Sequence, residues 1–362
     1  MPLVPGSLAY LAPNKHRVEI YRRIHTGRIK MSYKLSIIIG LDESDNNLDK
    51  IKNSIESALT AYIEGIEVIL AADIASDGVK KLFDEYKDKY PDIIKVLYTS
   101  ERRSKGGAYN LALRNSEAEW VSFMNAGDTV APAFVKTLLK KAEETNAEVI
   151  ACANDSKDNE ADAEIFKQIP DMEEDEKNAI LIVNPGMMES KIFKREIFEK
   201  NGLWFPEKLL FEKLGIGRLA LACADKFEYV DECLYFFDKD AKTNYEEEVL
   251  YDRLDVMTFF IEECYKREIL EEYPEEVEGA VIDDMYMKTL FAYIAATPAA
   301  KRKKSFLEML QNAILDCFPE FETNPYYYEK YDDDIKDLVS LHIEALGKFL
   351  KAVKDFDSVE FE

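Results

Sequence analysis

The stretch W-V-S-F-M-N-A-G-D-T-V-A-P, Trp120 to Pro132, decides how this chain is read. Trp120–Met124 is an apolar run of strand length that stops abruptly in small and polar residues. A helix is expected from Ala133, just past Pro132. In an open α/β sheet the carboxyl end of a strand is where ligands sit. A carboxylate pair gripping a metal ion and a phosphate would suit such a turn. The chain offers Asn125, Gly127 and a single Asp128 instead. Whether this turn is a working site or the remains of one is the main functional question.

Working outward, Leu35–Ile39, Ile66–Ala71, Ile93–Tyr98 and Glu148–Ala153 are further runs of strand character. Between them, Leu48, Ile51, Ile55, Ala58, Leu59 and Tyr62 fall at helical spacing, as do Val79, Leu82, Phe83 and Tyr86. The Gly106-Gly107 pair opens a helix through Leu113, and another is expected over 133–146. Strands alternating with helices of this length predict βαβ units, and so a parallel sheet with helices on both faces. The rhythm breaks between Asn154 and Asn178, where Asp and Glu crowd out apolar residues and a loop or irregular excursion is expected. Regular structure should resume at Ile180–Val183, with helices over 195–201 and from near Glu212, then a strand at 227–237.

From about Tyr245 the chain reads as helical and acidic, broken at Pro274, Pro298, Pro319 and Pro325. A last helix is expected to show Leu338, Leu341, Ala345, Phe349 and Val353 on one face. Tyr326-Tyr327-Tyr328 reads as core or interface filling rather than a sugar-stacking platform. The division is a basic extension over 1–30, an α/β domain over 31–240 and a helical region over 241–362.

Composition excludes several classes. With 362 residues and 47% hydrophobic content the chain can bury a sizeable core. A net charge of −24 argues against general nucleic-acid or anionic-membrane binding, since both reward basic surfaces. No apolar run approaches the roughly 20 residues that a membrane helix needs. Five scattered cysteines without C-x-x-C spacing suggest reduced thiols in a cytoplasmic protein and no zinc site. The three histidines lie far apart, outside any metal-binding motif. Residues 1–30 carry six Lys/Arg against Glu19, and the apolar start is broken by Pro5 and Pro13. That makes a poor signal peptide; a flexible extension is preferred to a basic arm lying on the inner membrane face.

Four spots fall where strands meet the following turns along one sheet edge: Gly40 to Ser44, Asp73, Lys105 to Asn110, and Asn125 to Asp128. A carboxylate after the second strand can accept from a base N–H, and glycines at a helix start let backbone N–H groups approach a phosphate. Taken singly, each has an ordinary reading as a turn residue or helix cap.

The order of these elements resembles the family 2 glycosyltransferases of the GT-A fold, over about residues 33–240. K-L-S-I-I-I-G looks like the opening strand, and E-V-I-L-A-A-D-I-A-S-D-G like the strand that ends in D-D-G-S-x-D-G. G-G-A-Y-N-L-A-L resembles the A-R-N-x-G helix, and the Trp120–Pro132 stretch the strand ending in the metal-binding D-x-D. S-K-I-F-K-R-E to L-L-F-E-K resembles the segment whose E-D supplies the base, and D-E-C-L-Y-F-F a later D-E-x-L-Y-x-Y strand.

The resemblance implies a UDP-type nucleoside-diphosphate sugar as donor, with Mn or Mg, and a hydroxyl of a glycan or lipid-linked acceptor. It places donor contacts at Asp73, Gly107, Asn110 and Asn125, a metal ligand at Asp128, and catalytic roles at Glu212 and Lys213. The family's other acids are absent: Ala72, Asn125, Gly127 and Lys213 stand in their positions, and Tyr109 replaces the arginine. One carboxylate must then hold the ion alone, or Lys213 must supply charge near the diphosphate while Glu212 serves as base. Two readings follow, a divergent transferase or a degenerate member acting as a nucleotide- or glycan-binding partner; either allows an oligomer.

Overall fold

A computed structural model describes residues 33–241 and 247–354; the basic extension over 1–30 lies outside the described residues. The α/β part runs β1 (Leu35–Leu41), α1 (Leu48–Thr60), β2 (Ile66–Ala72), α2 (Asp77–Lys89), β3 (Ile94–Tyr98), α3 (Ser104–Asn115), β4 (Trp120–Asn125), β5 (Thr129–Val130), α4 (Phe134–Thr145) and β6 (Val149–Asn154). It continues through α5 (Asn159–Phe166), α6 (Glu174–Val183), β7 (Lys191–Lys194), α7 (Arg195–Lys200), α8 (Lys213–Ala222) and β8 (Phe227–Phe236). All seven residues of β1 and of β2 are buried, because helices cover both faces of the sheet. Asn47 and Ser76 cap α1 and α2 by accepting from the N–H groups of Lys50 and Val79.

The described strands form one sheet in the order β3-β2-β1-β4-β7-β6-β8-β5. Pairing is parallel from β3 to β4 and between β6 and β8, but β7 runs antiparallel to both β4 and β6. The chain leaves β1 toward β2 and β3, then returns to place β4 on the other side of β1. That is the topological switch point, where open α/β sheets bind ligands. In register, Gly40 of β1 meets Asn125 of β4 there.

Two sequence expectations need correction. The acidic span after Asn154 is not irregular, since α5, a 3-10 turn (Ile169–Asp171) and α6 fill it. Its acids are helix-start residues, with Glu160 and Asp162 in the first turn of α5 and Glu174, Asp175 and Glu176 in that of α6. Carboxylates there interact favourably with the helix dipole, while Ala163, Phe166, Ile169, Leu181 and Ile182 turn inward. The second correction is in the helical region, where the single last helix is broken at Ala345 (φ −148) into two, Asp333–Glu344 and Leu346–Ala352.

The helical region comprises α9 (Glu247–Lys266), α10 (Ile269–Glu272), α11 (Pro274–Val281), a π-helical turn (Ile282–Met287), α12 (Lys288–Ala296), α13 (Lys304–Cys317), α14 (Pro325–Lys330), α15 (Asp333–Glu344) and α16 (Leu346–Ala352). One continuous apolar cluster runs from Phe123 and Val149 of the sheet to Tyr286, Tyr293 and Phe349. Tyr327 is buried in that cluster and meets Phe321 edge-on, while Tyr328 is exposed.

An ion cluster ties the two parts. Asp284, fully buried in the π-helical turn, pairs with Arg218 of α8 and accepts from Arg253 Nη2 of α9 at 3.0 Å. Burial opposes its charge, but Arg218, Lys288 and Arg253 outweigh burial and hold the carboxyl well below the usual carboxylate range. Breaking a buried pair costs about 3–5 kcal/mol. Asp284→Asn should therefore lower the urea midpoint sharply at pH 7. The wild-type advantage is present above the unfolded carboxylate pKa of about 4 and should narrow as pH falls below it.

Candidate active site

At the switch point the side chains form one connected polar chain. Lys213, the first residue of α8, donates from Nζ to Asn125 Oδ1 at 2.6 Å and to Glu189 Oε1 at 2.8 Å. Asn125 Nδ2 donates to Glu189 Oε1 at 2.9 Å and to Asp128 Oδ2 at 3.1 Å. Asp128 also accepts from Tyr235 OH at 2.7 Å and from the Asp238 backbone N–H at 2.9 Å. Tyr109 lies beneath, fully buried, with the Lys213 ammonium 4.8 Å from its ring centroid and its hydroxyl donating to Asn125 Oδ1 at 3.2 Å. Gly40 makes room for that ring, because a Cβ there would sit 2.4 Å from Tyr109 Cε1.

These contacts decide how well a divalent cation fits. Asp128 is 3% exposed and both of its carboxylate oxygens are engaged within the chain. Gly127 has φ +103, and a Cβ there would lie 2.7 Å from Asp238 Oδ2. Asp238, paired with Lys50 at 2.6 Å, thus occupies the space a side chain at 127 would need. Among the described residues no group of three or more His, Cys, Asp or Glu is placed to hold a metal ion. As placed, Asn125 and Asp128 do not fit a divalent cation, and the positive charge at this point is Lys213.

Glu212 precedes Lys213 and is turned inward, 7% exposed. Burial raises its carboxyl above the ordinary glutamate value, against the opposing pull of Lys213 and Lys105. Glu189 is the opposite case: burial would raise it, but Lys213 and the bond from Asn125 hold it low. Lys105 pairs with Asp45 at 3.1 Å, and the surrounding acids, Asp45 foremost, outweigh burial and stabilise its charge.

The remaining sequence candidates line the start of α3. Asp73, 3% exposed, accepts from Thr99 Oγ1, from the Arg103 N–H at 3.1 Å and from the Ser104 N–H at 2.8 Å. It therefore caps the entry to α3. Asn110 clamps the backbone of Phe205, donating to its carbonyl and accepting from its N–H, each at 2.9 Å. Gly107 packs against Arg103, where a Cβ would come within 2.2 Å of Arg103 Cβ. Asn125, Asp128, Glu212 and Lys213 thus belong to the polar centre, while Asp73, Gly107 and Asn110 seat α3 beside it. Next to Asp73, an open groove of about 430 Å³ at the ends of β2 and β3 is lined by Ile74, Tyr98, Thr99 and Arg102.

Sequence reading did not assign Glu189, Asp238 or Tyr235. Tyr235 lies in the quoted D-E-C-L-Y run and Glu189 directly before S-K-I-F-K-R-E, so their neighbourhoods were visible and their roles were not.

This sheet, its switch point and the helices packed on it define a GT-A-type nucleotide-sugar transferase fold. The likeness is seen in Staphylococcus aureus TarS 1-349 solved with UDP, with a TM-score of 0.61, 18% identity, and 89% of this chain and 90% of that one covered. The same fragment in complex with UDP-GlcNAc gives a TM-score of 0.56 at 15% identity, over the same shares. At the level of sequence, residues 44–202 match the model of glycosyl transferase family 2. Among similar proteins, the succinoglycan biosynthesis protein ExoO of Rhizobium meliloti (strain 1021) is 25% identical over 104 residues, 29% of each chain. The uncharacterized glycosyltransferase YibD of Escherichia coli (strain K12) is 27% identical over 122 residues, 34% of each. These alignments span about a third of the relatives' length.

Restoring the second acid by Gly127→Asp alone should destabilise the fold, through the clash with Asp238 and the positive φ. Combining it with Asp238→Gly should recover part of the loss, and thermal melts of the two variants check the sign.

Proposed function

We propose that this chain transfers a sugar from a UDP-type nucleoside-diphosphate donor to a hydroxyl of a glycan or lipid-linked acceptor, with Lys213 in place of the divalent cation. The observation that carries this reading is the Lys213 ammonium seated on Asn125 Oδ1, the position of the first D-x-D acid. An ammonium has three N–H donors, and two are spent on Asn125 and Glu189. The third is free to meet a phosphate oxygen. Lys213 also opens α8, where the helix dipole adds a positive field. Lysine is disfavoured at a helix start; Glu189 offsets part of that cost, and a diphosphate would offset more.

In the reaction, the acceptor hydroxyl oxygen bonds to the anomeric carbon as the bond from that carbon to the diphosphate oxygen breaks. Glu212, with its raised pKa, takes the hydroxyl proton. Lys213 stabilises the negative charge gathering on the departing diphosphate. Asp73 and Asn110 keep α3 and the Phe205 segment in register beside the groove of Ile74 and Tyr98, which offers an exposed aromatic face for the base. We assign this chemistry to residues 31–240, with 241–362 as a helical support. No helix among the described residues is long and apolar enough to cross a membrane.

The degenerate reading has one observation in its favour: Asp73 and Asp128 spend their carboxylates on the chain itself. Titration with UDP, followed by a donor-turnover assay with and without EDTA, separates the two. The transferase reading expects UDP binding and EDTA-resistant turnover. Lys213→Met should cut kcat by about 10²–10³, the range for losing one preorganised donor. Failure to bind any nucleoside diphosphate would sink the enzyme.

Glu212→Gln should abolish turnover while leaving UDP affinity intact. Because the base must be ionised, kcat/KM should rise with pH through an ionisation above the ordinary glutamate value near 4.5 and then level off. A pH–rate profile of wild type beside Glu212→Gln checks the assignment.

A further inference from the structure

A second cleft, about 800 Å³, opens at the far end of α8 between α6, the end of α9 and α10. Lys213 and Ala222, which lines the cleft, are the two ends of the ten-residue α8, roughly 14 Å apart along the axis at 1.5 Å per residue. None of its lining residues belongs to the polar centre.

Its floor holds two polar atoms that the chain leaves open. Asn178, 6% exposed, donates from Nδ2 to Tyr273 OH at 3.2 Å, and its Oδ1 has no hydrogen-bond partner. Arg267 uses Nη1 on Glu263 and Nη2 on the Asn201 carbonyl, and its buried Nε–H is likewise unpartnered. Buried polar atoms are nearly always satisfied, so each exception asks for a partner. Here one is an acceptor and the other a donor, both in the wall of the same cleft. The carboxylates of Glu174, Asp175 and Glu272 stand on the rim, with Ile269 and Tyr273 supplying apolar wall.

A ligand for such a surface must donate and accept at once, present apolar edges, and carry no negative charge. A hydroxyl both donates and accepts, and three carboxylates repel phosphate or carboxylate groups. We infer that this cleft is a second carbohydrate site that holds a neutral, hydroxyl-rich saccharide unit. This rests on the transferase reading in one respect, namely that the saccharide is a remote part of the glycan acceptor. The binding chemistry itself does not depend on turnover.

The test uses the full chain and two neutral probes, maltotriose and triacetylchitotriose, followed by saturation-transfer NMR and calorimetry. Binding of at least one probe is expected, weakened roughly ten-fold or more by Asn178→Leu, the size of effect one good hydrogen bond carries. The exposed rim variant Glu272→Gln should weaken it too, and keeps the test alive if Asn178→Leu does not fold. Lys213→Met should leave probe affinity unchanged. Absence of binding up to roughly 10 mM, the weak end of the affinity scale, overturns the proposal. So does probe binding lost in Lys213→Met but kept in Asn178→Leu, and so does saturable binding of inorganic phosphate at this cleft. Asn178-dependent probe binding in a chain that turns over no donor would uphold this site while ending the transferase reading.

Discussion

The arrangement of the switch point depends on one largely shielded ion pair, Lys213 with Glu189, joined through Asn125. Removing two charges from water is costly, and bonds within the chain offset part of that cost here. Glu189 accepts from both Lys213 and Asn125, and Lys213 also lies against the face of Tyr109. Tyr109 in turn demands Gly40, and Asn125 hands the network on to Asp128, Tyr235 and the backbone after β8. The residues that differ from the family pattern touch one another: Lys213 donates to Asn125 and lies over the ring of Tyr109.

Much of the fold was legible because its elements are periodic. β1, β2 and β4 are mostly apolar, as both-face burial favours, and α1 and α2 carry their apolar residues at helical spacing. Short or charged elements were not. β7 is K-I-F-K, four residues with a lysine at each end, and β5 has only two residues. The acids of α5 and α6 read as loop composition because they gather in the first helical turns.

The candidate site was legible in part for a related reason. Asn125, Asp128, Glu212 and Lys213 lie in stretches that resemble family motifs, and the fold does bring them together. Glu189 and Asp238 stand one residue outside stretches that resemble motifs, so nothing in the sequence marked them, and Glu189 lies 64 residues from Asn125. Asp73 and Asn110 show the limit of a motif match. Both lie in stretches that resemble motifs, but their side chains bond the backbone at Arg103, Ser104 and Phe205.

The space beside Gly127 makes substitution at this turn depend on order. Asp238 lies where a side chain at 127 would project and is neutralised by Lys50. An acid at 127 needs position 238 emptied first, and emptying it leaves Lys50 without its carboxylate. Neither change is neutral alone, so the two positions behave as one unit.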